Sequence, residues 1–276
     1  MPGILYIIST PIGNLEDISF RAIKSLNECN LIFAEDTRVS LKLLNHYQIN
    51  KPLISCHKFN EYNRKEILLK ALNNNENVAL ISDAGSPVIS DPGAQIIDFA
   101  ISHNLKIMII PGPSALITAL TASGFSGEEF FFQGFLPSKH NEIKTKLAKL
   151  KSVECPIIFY LPPHKVMEII DLIQSVLGNC TACLAKEMTK IHETYFYGDL
   201  NEIKAQLNES NLKGEFVLII KLNSSNQPNL NQPINEFINL ARQNGLSNTT
   251  ILNLLSTIID SKSKNKIYQQ ILEIDT

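Results

Sequence analysis

Short apolar runs alternate with longer amphipathic segments in the N-terminal half of the chain. Runs of strand length lie at residues 4–8, 31–34, 53–55, 78–82 and 106–110. The segments between them repeat their apolar residues every three or four positions, which predicts helices at 18–28, 39–47, 61–73, 93–103 and 113–122. Almost continuously apolar strands separated by helices are typical of a parallel sheet that is buried on both faces.

The pattern changes after residues 123–130. The later strands are more aromatic and some follow one another closely, which indicates a mixed sheet. They are predicted at 130–135, 156–161, 181–188, 194–198 and 214–220, with helices near 141–152, 163–176 and 200–209.

Three parts are predicted along the chain. Residues 1–124 form an N-terminal α/β domain and residues 125–222 a second α/β domain. Residues 223–276 begin with the polar linker NSSNQPNLNQP and continue as three short helices, the last at 263–272. These helices could be a capping bundle or a helix-turn-helix. The predicted fold class is α/β, with a mainly parallel first sheet, a mixed second sheet and a small helical C-terminal appendage.

Composition and charge exclude several classes of protein. The 276 residues carry a formal net charge of −2, so a nucleic acid would have to bind a local basic patch. The N-terminus lacks the basic start of a signal peptide, and no run approaches the ~18–20 apolar residues of a membrane helix. We expect a cytoplasmic protein without a membrane partner.

The cysteines predict neither disulfides nor a metal site. Their number is odd and their spacing irregular, and the CxxC at Cys180 and Cys183 has no second pair that could complete a zinc site. We expect buried structural thiols and no metal.

Three loops that follow predicted strands are rich in glycine and proline: residues 9–17, 82–93 and 111–115. Parallel strands share one direction, so these loops should emerge at the same edge of the sheet, where ligands of open α/β sheets bind. They contain no Lys or Arg, and neither a P-loop nor a GxGxxG motif is present. The loops favour a ligand without phosphates, such as an adenine nucleoside, although each alone could be an ordinary turn.

Several segments together resemble a known family. These are LYIISTPIGNLEDIS, FAEDTR, LISDAGSPVISDPG, IIPGPSALITAL, QGFLP and KEMTKIHE. They resemble the ribosomal RNA small subunit methyltransferase I family, which belongs to the tetrapyrrole methylase superfamily of S-adenosylmethionine-dependent enzymes. The resemblance extends from residue 3 to about residue 221.

The resemblance implies a two-domain tetrapyrrole-methylase-like fold, a homodimer, and S-adenosylmethionine as methyl donor. The implied reaction is 2′-O-methylation of a cytidine ribose in the decoding region of 16S rRNA, in the small ribosomal subunit or its precursor. Two alternatives stay open: a tetrapyrrole C-methyltransferase of the same superfamily, and a non-catalytic module that binds RNA or a nucleoside.

The resemblance also implies donor-binding positions in the three loops and in the second domain. One segment departs from the family, because FYLPPHKV stands where a sequence of the type acidic-Ser-Pro-His-Arg is usual. The implied positions are Pro11, Asp83, Gly85, Ser86, Val88, Ile89, Ser114, Ala115, Tyr160 and Leu161.

Polar residues near the strand ends are candidates for the general base that activates a ribose hydroxyl. Asp36 and His57 follow the second and third strands, although Asp36 could instead cap a helix and pair with Arg38. His57 could be a hydrogen-bonded, partly buried ring. In KEMTK, strand alternation would place Lys186 and Glu187 on opposite faces, and a desolvated lysine beside a carboxylate is a possible base.

A local basic surface is predicted for RNA phosphates. Most of its members lie on the helix NEIKTKLAKLK, which could equally present an ordinary solvated face. The predicted RNA-binding residues are Arg38, Lys139, Lys144, Lys146, Lys149 and Lys151.

Overall fold

The computed structural model describes residues 2–208, 211–223 and 231–258. The chain divides into two compact units, one within residues 1–226 and one within residues 227–276. The helix predicted at 263–272 lies outside the described residues.

The first sheet confirms the strand pattern of the N-terminal half. Its strands pair in the order β3-β2-β4-β1-β5, and every pairing is parallel. The strands are β1 (Ile4–Ile8), β2 (Leu31–Ala34), β3 (Leu53–Ser55), β4 (Val78–Ile81) and β5 (Lys106–Ile110). The helices between and after them are α1 (Phe20–Glu28), α2 (Thr37–His46), α3 (Glu61–Asn73), α4 (Ala94–Ser102) and α5 (Ala115–Ser123).

Helices cover both faces of this sheet. Buried residues of α1 and α2, such as Leu26 and Leu44, share one core cluster with the sheet, and residues of α3 and α4, such as Leu72 and Ile96, share the other. The predicted burial of every strand on both faces is wrong for β5, where Ile109 is 58% exposed. Among the described strands β5 pairs only with β1, so it is an open edge.

The second sheet is mixed, as predicted. Its order is β6-β7-β10-β8-β9; β6 and β7 are parallel and the other pairings are antiparallel. Its strands are β6 (Phe131–Phe135), β7 (Ile157–Leu161), β8 (Thr181–Lys186), β9 (Thr194–Asp199) and β10 (Phe216–Lys221). Helices α6 (His140–Ala148), α7 (Val166–Leu177) and α8 (Leu200–Gln206) pack on one face in a single core.

Helix α5 covers part of the other face of the second sheet. Its buried Leu116 and Leu120 belong to one apolar cluster with Ile158, Cys183 and Ile219. The last helix of the N-terminal half thus follows β5 of the first sheet and packs on the second sheet, and both sheets lie in one unit.

Strand β8 ends earlier than the sequence predicted. It stops at Lys186 instead of residue 188, because Glu187 (φ 50°) and Thr189 (φ 65°) adopt the left-handed conformation. The strand alternation inferred for residues 186–190 is therefore wrong from Glu187 onward.

Four of the five cysteines, Cys29, Cys56, Cys180 and Cys183, are buried, and burial raises the pKa of Cys29 and Cys56 to about 12. Among the described residues, no group of His, Cys, Asp or Glu is arranged to hold a metal ion. The described helices include none with the length and apolar character that a membrane crossing requires.

The C-terminal unit contains α9 (Asn231–Gln243) and α10 (Asn248–Ile258). Ile238 on α9 and Ile251 on α10 are fully buried. The turn between the helices is fixed by Arg242, whose Nε donates to Asn248 Oδ1 at 3.2 Å.

Gly93, which precedes α4, provides a test of this fold. Its φ is +121°, and a Cβ built there would lie 2.9 Å from Leu80 Cδ2 in the core. We expect Gly93→Ala to lower the free energy of unfolding by about 1–3 kcal/mol, through backbone strain and overpacking. Gly127→Ala is the control, since its Cβ would meet only Leu120 Cδ2, at 3.7 Å. Equal urea midpoints for the two variants would contradict the expectation.

Candidate functional site

The three glycine- and proline-rich loops meet at the carboxyl edge of the first sheet. Thr10 N donates to Gly85 O at 2.8 Å and Gly85 N donates to Thr10 O at 3.0 Å, which forms an antiparallel bridge between the first two of them. The hydroxyls of Ser9 and Ser86 are 2.8 Å apart. The third loop touches the first, because a Cβ built on Gly112 would lie 3.0 Å from Ser9 Cβ.

The loop of residues 82–93 is held in an unusual backbone conformation. Val88 (φ 78°) and Ser90 (φ 68°) have positive φ, which is rare for a β-branched residue such as Val88. Hydrogen bonds hold the loop: Ser82 Oγ donates to Gly85 O at 3.1 Å, and Asp36 N donates to Asp83 Oδ1 at 3.0 Å. Such strain persists only where the surroundings enforce it, and it is frequent at ligand sites.

A cavity of about 460 Å³ lies above these loops, which is within the usual range for small-molecule sites. The loops form its floor, and the second sheet closes it through the ends of β6 and β7 and the start of β10. Its apolar wall includes Ile12, Ile89, Phe135, Leu161 and Met188.

Four carboxyl groups also line the cavity: Glu35, Asp83, Asp91 and Glu215. Glu215 is paired with Lys190 at 3.1 Å, and the other three have raised pKa values. Burial and the repulsion of Glu35 and Asp83 raise the pKa of Asp91 to about 7. Burial, followed by the nearby Asp83 carboxylate, raises the pKa of Glu35, and burial raises that of Asp83. Since a cation would relieve this repulsion, the cavity favours a positively charged ligand.

Most of the predicted donor-binding residues come together in this cavity. Pro11 and Val88 are not among its lining residues, and Ile12 lines it in place of Pro11. The lining residues that the resemblance had implied are Asp83, Gly85, Ser86, Ile89, Ser114, Ala115, Tyr160 and Leu161.

Sequence reasoning did not single out Asp91 or Met188. Asp91 and Asp83 lie in the same loop after β4, but Glu35 follows β2, so only the fold reveals that Glu35 is close to them. Met188 lines the cavity because the chain turns directly after β8, which the strand prediction had missed.

Asp36 makes the capping interaction that was its alternative explanation. Its side chain caps α2 by accepting from Arg38 N at 2.9 Å and forms an ion pair with the Arg38 guanidinium at 2.6 Å. Hydrogen bonds from Arg38 lower the pKa of Asp36 to about 2. The Asp36 backbone N–H, however, orients Asp83 in the cavity.

The other catalytic candidates lie around the cavity, and none is among its lining residues. Lys186 shares the face of β8 with Ala182 and Leu184, which pack against α6–α8. Glu187 Oε1 accepts from Lys190 Nζ at 2.9 Å and from Glu215 N at 2.8 Å. Burial raises the pKa of Glu187, but these hydrogen bonds outweigh it and leave the pKa lowered.

His57 is held by Asn60, since His57 N donates to Asn60 Oδ1 at 2.8 Å. Its ring lies close enough to Glu35 to offset a small part of the rise in the pKa of that carboxyl, which burial and Asp83 dominate.

The predicted RNA-binding lysines are exposed on and around α6. Lys139 immediately precedes the helix and pairs with Glu142 at 3.4 Å. Helix α6 follows β6, whose last residue Phe135 lines the cavity, and a helix rises about 1.5 Å per residue. The start of α6 is therefore nearer to the cavity along the chain than Lys149 and Lys151, which follow the end of the helix.

The unusual segment after β7 forms part of the cavity rim. Pro162 and Pro163 line the cavity, and Lys165 Nζ donates to Ser138 O at 3.4 Å. The departure from the family pattern thus places rigid, uncharged residues in the lining of this cavity.

Residues 4–204 match the family model described as Tetrapyrrole (Corrin/Porphyrin) Methylases. Two similar relatives carry the name ribosomal RNA small subunit methyltransferase I. The one from Mesomycoplasma conjunctivae is 45% identical over 218 residues, covering 78% of this chain and 90% of the relative. The one from Thermotoga maritima is 40% identical over 218 residues, covering 79% and 98%.

Solved structures share the fold at low sequence identity. A diphthine synthase has a TM-score of 0.63 at 13% identity, covering 79% of this chain and 90% of that one. The uroporphyrin-III-C-methyltransferase of Thermus thermophilus has a TM-score of 0.56 at 13% identity, covering 79% and 94%. Because the family model matches most of the chain and the named relatives align along four-fifths of it, this chain belongs to the tetrapyrrole methylase family and, within it, to the ribosomal RNA small subunit methyltransferase I proteins.

Proposed function

We propose that this protein transfers a methyl group from S-adenosylmethionine to ribosomal RNA of the small subunit. The observation that carries the proposal is the cavity, in which preshaped loops without basic residues meet three carboxyl groups of raised pKa. The names of the aligned relatives support the RNA substrate.

The cavity suits this donor in charge and in polarity. When bound, S-adenosylmethionine supplies a methyl group on a positively charged sulfur, and transfer leaves a neutral thioether. Glu35, Asp83 and Asp91 favour that charge, which a phosphate-binding nest of basic groups would repel. Ser86 and Ser114 offer hydroxyls, and the apolar wall excludes water that would compete for the methyl group.

Asp91 fits the role of general base better than the residues proposed from the sequence. A carboxyl group with a pKa of about 7 is half ionised at neutral pH and can accept the proton of an attacking hydroxyl. Asp36 and Glu187 have lowered pKa values and are bonded to cations. Positioning by the loops supplies the remaining catalysis, because the nucleophile, methyl carbon and sulfur must be in line.

Within this proposal the acceptor is the 2′-hydroxyl of a cytidine in the decoding region of 16S rRNA. The support is the resemblance of the first loop and of AEDTR to the ribosomal RNA small subunit methyltransferase I family. The exposed lysines at and after Lys139 would add phosphate contacts.

The open edge of the first sheet supports a homodimer. Ile109 on β5 and Phe20 on α1 are 58% and 93% exposed, and Arg21, next to Phe20, donates to Ile109 O at 3.4 Å. An exposed apolar strand edge is a common site of self-association. We propose that a second copy of this chain covers it.

The first test measures methyl transfer to small ribosomal subunits from cells that lack the gene. We expect labelled donor to mark one cytidine, at a position that resists alkaline cleavage because its 2′-hydroxyl is methylated. Ser114→Leu is the blocked control: its side chain fills the cavity, while the Ser114 carbonyl that accepts from Thr118 N at 2.9 Å is kept. Label on a base would overturn the ribose assignment. Label in a porphyrinogen and none in the subunit would overturn the whole proposal.

The second test uses the pH dependence of donor affinity. A bound cation favours ionised Asp91, so binding should release a proton and tighten up to about tenfold between pH 6 and pH 8. We expect Asp91→Asn to bind more weakly at pH 8 and to lose this dependence in calorimetric titrations. An unchanged pH profile in the variant would show that Asp91 does not govern binding.

The melting temperature of Asp91→Asn shows whether the variant is folded and also tests the raised pKa of Asp91. Because the pKa of Asp91 is raised from 3.8 to about 7, its contribution to stability is lost as pH rises through about 7. Asp91→Asn should therefore melt at a higher temperature than the unaltered protein at pH 8, with the difference vanishing near pH 4.

The third test concerns the dimer. We expect the unaltered 30.8 kDa chain to sediment as a dimer at micromolar concentration, and Ile109→Glu to sediment as a monomer. Leu41→Glu on α2, where Leu41 is 48% exposed, is the control and should remain dimeric. A monomeric unaltered chain would refute the dimer without affecting the methylation proposal.

A further inference from the structure

Two largely exposed aromatic side chains lie where α3 begins, Phe59 just before the helix and Tyr62 in its first turn. Phe59 is 92% exposed and Tyr62 is 74% exposed. Large aromatic rings usually bury most of their surface, so two exposed rings three residues apart form an uncommon surface. We call Phe59 and Tyr62 the aromatic platform.

The segment that carries the platform is fixed by hydrogen bonds. Asn60 Nδ2 donates to Ser55 O at 3.2 Å and Arg64 Nε donates to the same oxygen at 2.7 Å. Glu61, between the two rings, is only 4% exposed, and its Oε2 accepts from Gln95 N at 3.0 Å. The rings are therefore exposed from a rigid backbone, and ordering them in a complex would cost little conformational entropy.

The platform lies on the side of the sheet where the donor cavity opens. Strand β3 is parallel to the strands whose loops form the cavity floor, so its carboxyl end shares their edge. The adjacent His57 interacts electrostatically with Glu35 in the cavity wall. Glu61 binds the first turn of α4, directly after the loop of residues 82–93. Because β3 and β5 are opposite edge strands, the platform is separate from the apolar edge assigned to the dimer.

Within residues 57–66 three cationic side chains, Lys58, Arg64 and Lys65, outnumber the one exposed carboxylate, Glu66. Lys58 is exposed next to Phe59. Lys65 Nζ lies 5.0 Å from the centre of the Tyr62 ring and 5.9 Å from that of Phe99. The carboxylate of Glu61 is turned inward to Gln95 N, so it does not neutralise these cations at the surface.

We propose that the aromatic platform stacks unpaired bases of the RNA substrate that flank the methylated nucleotide, while Lys58 and Lys65 contact the adjoining phosphates. Single-stranded RNA is recognised through such a combination of aromatic faces and nearby cations. The proposal rests on the proposed function. The aromatic platform would be a second RNA-binding surface, separate from the predicted lysines around α6.

The test compares Phe59→Ala/Tyr62→Ala with Phe59→Tyr/Tyr62→Phe, which keeps both rings. The probe is a fluorescein-labelled oligoribonucleotide with a cytidine-containing single-stranded loop, measured by anisotropy. We expect the alanine pair to bind it roughly 10- to 100-fold more weakly and the ring-keeping pair to bind it as the unaltered protein does. Lys58→Ala should weaken binding. It should also reduce the slope of the logarithm of affinity against the logarithm of salt concentration by about 1, as the loss of one phosphate contact would.

Donor affinity and melting temperature separate this proposal from its alternatives. Both should be unchanged in the alanine pair, because the two rings are exposed and neither lines the cavity. Full RNA affinity in the alanine pair, while the unaltered protein methylates small subunits, would overturn the platform alone. A change of sedimentation with RNA affinity intact would identify a protein contact and also overturn it. Failure of the unaltered protein to methylate any RNA would instead count against the proposed function.

Discussion

The two backbone hydrogen bonds between Thr10 and Gly85 connect loops that are 75 residues apart in the chain. They are possible because β1 and β4 are parallel neighbours, so their carboxyl ends lie side by side. The Ser9 and Ser86 hydroxyls extend the same junction by one residue in each loop. The cavity floor depends on this junction, since Gly85, Ser86 and the strained residues after them are held by it.

Repulsion between carboxyl groups gives the cavity its chemical character. Asp91, Glu35 and Asp83 lie in partly buried positions that raise their pKa values, and in addition Asp83 raises the pKa of Glu35 and both of them raise that of Asp91. Removing that repulsion would stabilise the fold, so the arrangement is a cost that a cationic ligand offsets. Strain at Val88 and Ser90 has the same implication, because an ordinary turn needs neither feature.

The sheet has two edges with different chemistry. At β5, Met108 and Ile109 expose an apolar surface, which suits a second protein chain. Beyond β3, Phe59 and Tyr62 are exposed beside Lys58 and Lys65, which suits a polyanion with flat bases. Assigning one surface to self-association and the other to RNA leaves the cavity accessible between them along the carboxyl edge.

Local sequence determined the elements and the site loops. Continuous apolar runs such as ILYII and VALI have few alternatives to a buried strand, and Gly and Pro mark the loops, because these effects act within a few residues. The turn at Glu187 escaped prediction because its positive φ is stabilised by bonds to Lys190 and to Glu215 N, on a distant segment. The gathering of Glu35, Asp83 and Asp91, and the exposure of Phe59, were likewise decided only by tertiary structure. Burial, pKa and accessibility depend on which segments pack together, and residues far apart in sequence carry no local signal of that proximity.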